Sequence, residues 1–426
     1  MAYDLVVFGA TGFTAGFVLT EIYERTKWDT GFTWAIAGRR QRSLEDIKKD
    51  ISSKVSSSGL VPGIIVADTG DLSSLTEMAK QTRLVLNCVG PYRHLGEPVV
   101  KACVEAGVDY LDLCGEPEFI EEMSLKYHDQ AFSKGVTILH AAAFDSVPCD
   151  LGVQEVKREM IRRGLTPCAV EVFFQVQGSN GFGIHYATYQ AAVEGFGSSG
   201  KGLRDIRKQL SKIRPKPTTI GPPLARKPSV FGVMRDDRVS GRIIRYFFAD
   251  PAVVRLTQSL DVLLGTGTPA VHFSAYLVIP SVQALLMLAL YFLVFQFLSA
   301  RPWGRRLLLQ HPKLFTAGVA SKEGPSAEQL AGASFTETFY ATGFFSQTLA
   351  SKPNAEPDVS LVYRFAGPEP GYVATPILFI HCADTMLRYR DKVKKGVLTP
   401  AVAFHDVPML QYLVADGRLH WDRVSG

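Results

Sequence analysis

Short apolar runs alternate with longer mixed stretches over the first 150 residues of this 426-residue chain. Leu5–Phe8, Gly63–Asp68, Leu84–Gly90, Tyr110–Cys114 and Val136–His140 read as strands, as does the run ending in Ala37-Gly38-Arg39-Arg40. Strands separated by helix-length segments predict an α/β fold with a doubly wound parallel sheet. From about Glu171 the pattern lengthens into alternating segments such as Val170–Val176, which predicts a mixed sheet in a second domain. Ser334–Tyr340 and Val359–Phe365 read as more of that sheet, and Thr188 to Phe196 reads as a helix capped by Thr188. After the turn Gly367-Pro368-Glu369-Pro370-Gly371, a helix is expected from Thr375 to about Arg388. The expected organisation is a doubly wound domain over 1–150 and an α+β domain over 151–260 and 310–366. A hydrophobic segment covers 262–300, and a C-terminal segment over 367–426 returns to the first domain. No internal repeat is visible.

The first strand runs into the turn Gly9-Ala10-Thr11-Gly12-Phe13-Thr14. In a βαβ unit the first glycine permits the tight turn, the second lets backbone approach a pyrophosphate, and a small third residue, here Ala15, brings helix and strand close. The helix N-terminus beyond offers free N–H groups to a diphosphate. At the end of the second strand, where an NAD site places an acid for the ribose 2′-hydroxyl, this chain has Arg39 and Arg40. Two guanidinium groups suit a 2′-phosphate, so NADP(H) is the expected cofactor. Ligands in such sheets sit beyond the carboxyl ends of strands. That rule nominates Asp68, Asn87, Gly90, Pro91, Tyr92, Asp112, Gly115, Glu116, Phe144, Asp145 and Ser146 as rim residues. Asp68 is expected near adenine, and Gly90-Pro91-Tyr92 near the nicotinamide ribose.

Net charge is +5 and 46% of residues are hydrophobic, which excludes disorder and favours anionic ligands or an anionic lipid surface over nucleic acid. The six cysteines form no CxxC pair and read as reduced thiols in a cytosol-facing protein. The nine histidines show no HxxxH or HExxH spacing, so no metal is expected. A strand beginning by Tyr3 leaves no room for a presequence in this reading. Lys201 to Lys216 carries seven Lys or Arg against the single acid Asp205, followed by a Pro-rich tract, Pro215 to Pro228. Val262 to Ala300 contains no Asp, Glu, Lys or Arg, and Tyr276 to Leu298 is long enough to cross a bilayer. Arg301, Arg305, Arg306 and Lys313 follow directly. Three readings stand: a spanning or re-entrant anchor, a helix lying on a lipid monolayer, and a buried core helix. For the basic run, a solvated helix face is the plain alternative.

The motifs resemble the saccharopine dehydrogenase-like oxidoreductases over nearly the whole chain. The resemblance rests on VVFGATGFTAG from Val6 to Gly16, LNCVGPYRHLGEPVVKAC from Leu86 to Cys103 and YLDLCGEPEF from Tyr110 to Phe119. It continues in FDSVPCDLG from Phe144, KEGPS from Lys322 and GPEPGYVATPI from Gly367. It implies a Rossmann NADP-binding domain, an inserted α+β domain, and membrane or lipid-droplet association. A more distant similarity is to bacterial trans-acting enoyl reductases. The expected setting is a cytosol-facing membrane, lipid droplet or endoplasmic reticulum surface, with mitochondrion and plasma membrane left open.

A nicotinamide enzyme usually supplies or removes one proton beside the hydride. Tyr92, Asp112, Glu116 and Asp145 are the candidate acids or bases, with His94, Ser146, His185 and Tyr186 behind them. The plain alternative for Asp112, Glu116 and Asp145 is that they cap helices and tie loops together. Three functions follow: an NADP(H)-dependent oxidoreductase at a lipid surface, in lipid or glycolipid metabolism; saccharopine reduction in lysine metabolism; and a non-catalytic nucleotide-binding lipid-droplet protein. Expected partners are a small-molecule or lipid substrate and a lipid surface, with a homodimer left open and no nucleic acid.

Overall fold

A computed structural model describes residues 1–26, 32–54, 61–224, 232–352 and 355–425, with side chains except at 25, 26, 54 and 196–200. The chain forms two compact units: Met1–Asp145 with Gly371–Met409, and Ser146–Pro370 with Leu410–Gly426.

In the first unit strands and helices alternate: β1 (Tyr3–Phe8), α1 (Phe13–Thr26), β2 (Trp34–Gly38), α2 (Gln41–Lys54), β3 (Gly63–Val66), α3 (Leu72–Lys80) and β4 (Thr82–Asn87). There follow α4 (Tyr92–Ala106), β5 (Asp109–Asp112), α5 (Pro117–Ser133) and β6 (Thr137–Leu139). The sheet is wholly parallel in the order β14-β6-β5-β4-β1-β2-β3, where β14 is Gly396–Leu398. Val6 and Val7 point to opposite faces and both are fully buried, so both faces of the sheet are covered. Strand order reverses between β1 and β4, which opens the crevice where such sheets hold ligands. Within the same unit the C-terminal return places Tyr372 against α1, its ring 5.2 Å from Phe13 and 5.6 Å from Phe17. Arg390 Nε donates to Asp109 Oδ2 at 2.7 Å.

The second unit begins at Ser146 rather than 151, because α6 (Val147–Arg162) packs on its sheet. That sheet has the order β15-β13-β12-β7-β10-β9, with β7 (Thr166–Gly178), β9 (Arg242–Arg245), β10 (His272–Ile279), β12 (Ala333–Phe344), β13 (Val359–Pro368) and β15 (His420–Ser425). Only β7 and β10 pair in parallel. The 367–426 segment was expected to return whole to the first unit. Leu410–Gly426 instead belongs to the second, because β15 pairs with β13 and Trp421 stacks on Tyr363 at 5.1 Å. Along β12, Phe335, Glu337 and Phe339 share the buried face, as period-two alternation requires. Neither carboxyl oxygen of Glu337 has a hydrogen-bond partner, and burial pushes its pKa up to about 8. Such a group is held neutral at physiological pH.

Two short strands, β8 (Ile184–His185) and β11 (Ala320–Ser321), pair in parallel beside α7 (Tyr186–Ile213). The α7 helix is longer than the expected Thr188–Phe196. It is capped by His185, whose Nδ1 accepts from Ala187 N at 3.2 Å, and it runs on through the basic stretch. Of the Pro-rich tract, 215–224 carries neither helix nor strand, and 225–228 lies outside the described residues.

The hydrophobic segment also divides differently from the expected Tyr276–Leu298. Its start is the end of α8 (Asp250–Leu263), and Tyr276–Ile279 is part of β10, bonded to β7 and β9. Pro280 follows the strand, Ser281 Oγ accepts from Ala284 N at 3.1 Å, and α9 (Val282–Ser299) begins. Phe295 and Leu298 of α9 pack with Tyr189 and Val193 of α7 and with Leu308 of α10 (Pro302–Gln310). Only 17% of α9 is buried, so it is not a core helix. By length and composition it is apolar enough to cross a membrane. Val282, Leu286, Leu290, Leu293 and Phe297 form an exposed stripe along its whole length.

Candidate nucleotide site

The β1–α1 turn is built on Gly9, whose φ is +86°. A Cβ there would stand 2.5 Å from Val89 Cγ2 and 3.1 Å from Val89 N, so only glycine lets the turn close against the end of β4. Gly9 N donates to Ala37 O at 2.9 Å, and Gly12 N donates to Gly9 O at 2.9 Å, which leaves Thr11 and Gly12 exposed at the head of α1 and Ala10 buried beneath. Phe13 and Thr14 open the helix half-buried. Arg39 and Arg40 emerge directly after β2, both exposed and without an ion pair among the described residues. Asp68, after β3, accepts from Gly70 N at 2.9 Å and shapes the turn that starts α3.

Asn87 lies below the rim instead of on it. It is fully buried, its Nδ2 donates to the Tyr110 hydroxyl at 3.0 Å, and its Oδ1 accepts from Val89 N at 3.0 Å. Gly90 and Pro91 lead from there into α4. The Tyr92 hydroxyl donates to Asn87 O at 2.9 Å and accepts from Leu113 N at 3.2 Å, and burial pushes its pKa well above the usual phenol value. Asp112 is sealed: Oδ2 accepts from Tyr110 at 2.8 Å and lies 2.7 Å from His140 Nδ1, while Oδ1 accepts from Cys114 N and Ala141 N at 3.1 and 3.2 Å. His140 is equally sealed, with Nε2 unpaired and the Phe119 ring 5.2 Å away. Glu116 accepts from Tyr92 N at 2.9 Å, Arg93 N at 3.3 Å and Arg93 Nε at 2.9 Å, so it anchors the first turn of α4. Asp145 differs from these three: its residue keeps partial exposure beside Gly115, and desolvation of the carboxyl pushes its pKa up to about 6.

The sequence reading did not single out His140 or Arg93. His140 was legible in principle, because it directly follows β6, beside Asp112 at the end of the neighbouring parallel strand β5. Arg93 had no comparable signal, since its partner Glu116 is 23 residues away and joins it only through the fold.

Residues 5–139 match the saccharopine dehydrogenase NADP binding domain, so the first unit carries an NADP(H)-binding domain. The chain is 38% identical to the human saccharopine dehydrogenase-like oxidoreductase, over 97% of this chain and 96% of that protein. It is 33% identical to a Caenorhabditis elegans protein named lipid droplet localized protein, over 97% of both. Saccharopine dehydrogenase (L-Glu forming) from Saccharomyces cerevisiae shares the fold at a TM-score of 0.54 and 12% identity, covering 99% of this chain and 100% of that one. A glycine-turned parallel sheet ending in paired arginines, joined to a mixed-sheet unit and related to these proteins over almost its full length, makes the chain a member of the saccharopine dehydrogenase-like oxidoreductase family.

Proposed function

We propose that the chain is an NADP(H)-dependent oxidoreductase working at a membrane or lipid-droplet surface on a lipid or glycolipid-related substrate. The observation that carries this is the pairing of a nucleotide domain with α9, whose exposed apolar stripe runs the full helix. Both ends of α9 connect into the same unit, through β10 on one side and α10 on the other. A helix tethered at both ends to one compact unit suits lying in a lipid surface better than crossing it, because crossing would carry its two ends to opposite sides. A droplet or endoplasmic reticulum surface supplies that setting.

In this reading Gly9, Ala10, Thr11, Gly12, Phe13 and Thr14 cradle the diphosphate at the head of α1. Arg39 and Arg40 hold the 2′-phosphate, Asp68 lies toward adenine, and Gly90, Pro91 and Tyr92 border the nicotinamide ribose. Asn87 contributes by fixing Val89 and Tyr110 from below. The bound nicotinamide supplies or accepts a hydride. Asp145 is assigned as the proton donor because its residue stays partly exposed at the rim while desolvation raises its carboxyl pKa to about 6, near the working pH.

Arg39→Ala should weaken NADPH binding about 10- to 100-fold through the loss of charge-assisted hydrogen bonds while changing NADH affinity little. Calorimetric titration with both cofactors decides, and equal losses would remove the 2′-phosphate role. NADPH consumption with a total lipid extract tests the acid. A donor that must be protonated loses activity as pH rises through its pKa, so the wild-type rate should fall above about pH 6. Asp145→Asn should slow it about 10²- to 10⁴-fold and remove that limb without changing NADPH affinity. An unchanged rate and profile would take the role from Asp145.

A further inference from the structure

Resting on the lipid-surface reading above, we infer that the surface is a phospholipid monolayer rich in anionic headgroups, recognised by cations at the end of α9 and on α10 and α7, the helices packed against it. At the C-terminal end of the exposed stripe, the Arg301 guanidinium lies 3.9 Å over the Phe297 ring, and Arg305 Nη1 donates to Ser299 O at 2.8 Å. Trp303 is 54% exposed with its ring 6.4 Å from Phe297, and Arg306 is exposed and without an ion pair among the described residues. An indole and three guanidinium groups beside an apolar stripe match the headgroup layer, where amphipathic rings settle and long cationic side chains reach phosphate.

A second set of cations lies on α7, the helix that supports α9 through Tyr189 and Val193. Lys201, Arg204, Lys208 and Lys212 recur at i, i+3, i+7 and i+11 and so share one face, opposite the buried Ile206 and Leu210. Acids are nearly missing from this region. Asp205 is the single one between Lys201 and Lys216, and none occurs in α9 or α10. Lys313, by contrast, pairs with Glu323 at 3.0 Å. A neutral oil surface would engage the apolar stripe and offer nothing to these cations. Phosphate-bearing anionic lipids satisfy both, and each Lys or Arg near such a surface strengthens binding about fivefold.

The test is flotation of the full-length protein with triolein droplets coated either with phosphatidylcholine alone or with about one-fifth phosphatidic acid. Binding to the anionic coat should be at least about tenfold tighter at low salt, and the difference should collapse at about 0.5 M salt as charges are screened. The triple variant Lys208→Glu, Lys212→Glu, Arg306→Glu should lose the preference while keeping its binding to the neutral coat. Its NADPH affinity should also be unchanged, which shows that the chain still folds. The milder Lys208→Gln, Lys212→Gln variant should show an intermediate preference. Equal binding to both coats, or a preference that survives high salt and the substitutions, overturns the inference and leaves the lipid-surface reading intact. No binding to either coat overturns both.

Discussion

Gly9→Ala is expected to reduce NADPH affinity at least ~100-fold, about 3 kcal/mol, from two additive strains. The first is the backbone: φ of +86° is a conformation that an L side chain adopts only with a penalty of roughly 1–2 kcal/mol. The second is packing. The new Cβ would meet Val89 Cγ2 at 2.5 Å, Val89 N at 3.1 Å and the Cys88 carbonyl carbon at 3.2 Å, and two of these are backbone atoms at the end of β4 that cannot rotate away. Relief requires the turn to lift from β4, which moves the head of α1 away from the place the diphosphate needs it. Gly16→Ala is the matched control. It lies inside α1 with nothing within 4 Å of the new methyl group, so NADPH affinity should be unchanged and the helix slightly favoured, by up to about 1 kcal/mol. Calorimetry on both proteins separates the effects, and wild-type affinity in Gly9→Ala would refute the cradle.

The second large effect is expected on the exposed apolar stripe of α9, the proposed lipid-binding face. Leu286 and Leu293 are 66% and 72% exposed, so replacing both by Asp removes apolar contact with lipid without disturbing the packing of Phe295 and Leu298. Each leucine contributes roughly 1.5–3 kcal/mol when it leaves water, so the pair should shift partitioning at least about 100-fold toward the aqueous phase. In cell fractionation the variant should move from the buoyant layer to the cytosol with its NADPH affinity intact. Continued buoyancy would take the anchoring role from α9. Deleting 276–298 would be a poorer experiment, because Tyr276–Ile279 belongs to β10 and its loss would open the second sheet.

The parallel sheet and its glycine turn were legible because their signals are local. Gly9, Gly12 and Arg39 lie within one βαβ unit, and their meaning depends on neighbours a few residues away. The boundary of the hydrophobic segment was not legible. Tyr276–Ile279 is as apolar as the helix after it, and what makes it a strand is pairing with β7, about a hundred residues earlier in the chain. The same limit applies at the rim. Asp112 and Glu116 look alike as acids at a strand end, yet one is enclosed by Tyr110 and His140 while the other holds the backbone of α4. Those differences come from tertiary hydrogen bonds between segments that composition cannot connect. The last residues misled for a related reason, since the pairing of β15 with β13 links segments on opposite sides of the return to the first unit.

That late pairing has a consequence for how the protein is made. Emerging from the ribosome, β6 exposes a bare strand edge until Gly396–Leu398 arrives to pair with it, and β13 waits for His420–Ser425. Long-range pairing of this kind is slow and leaves edges available for aggregation in the meantime. The final stretch of the chain therefore closes both sheets, and a nascent polypeptide halted near residue 390 would leave the ribosome as a client for chaperones.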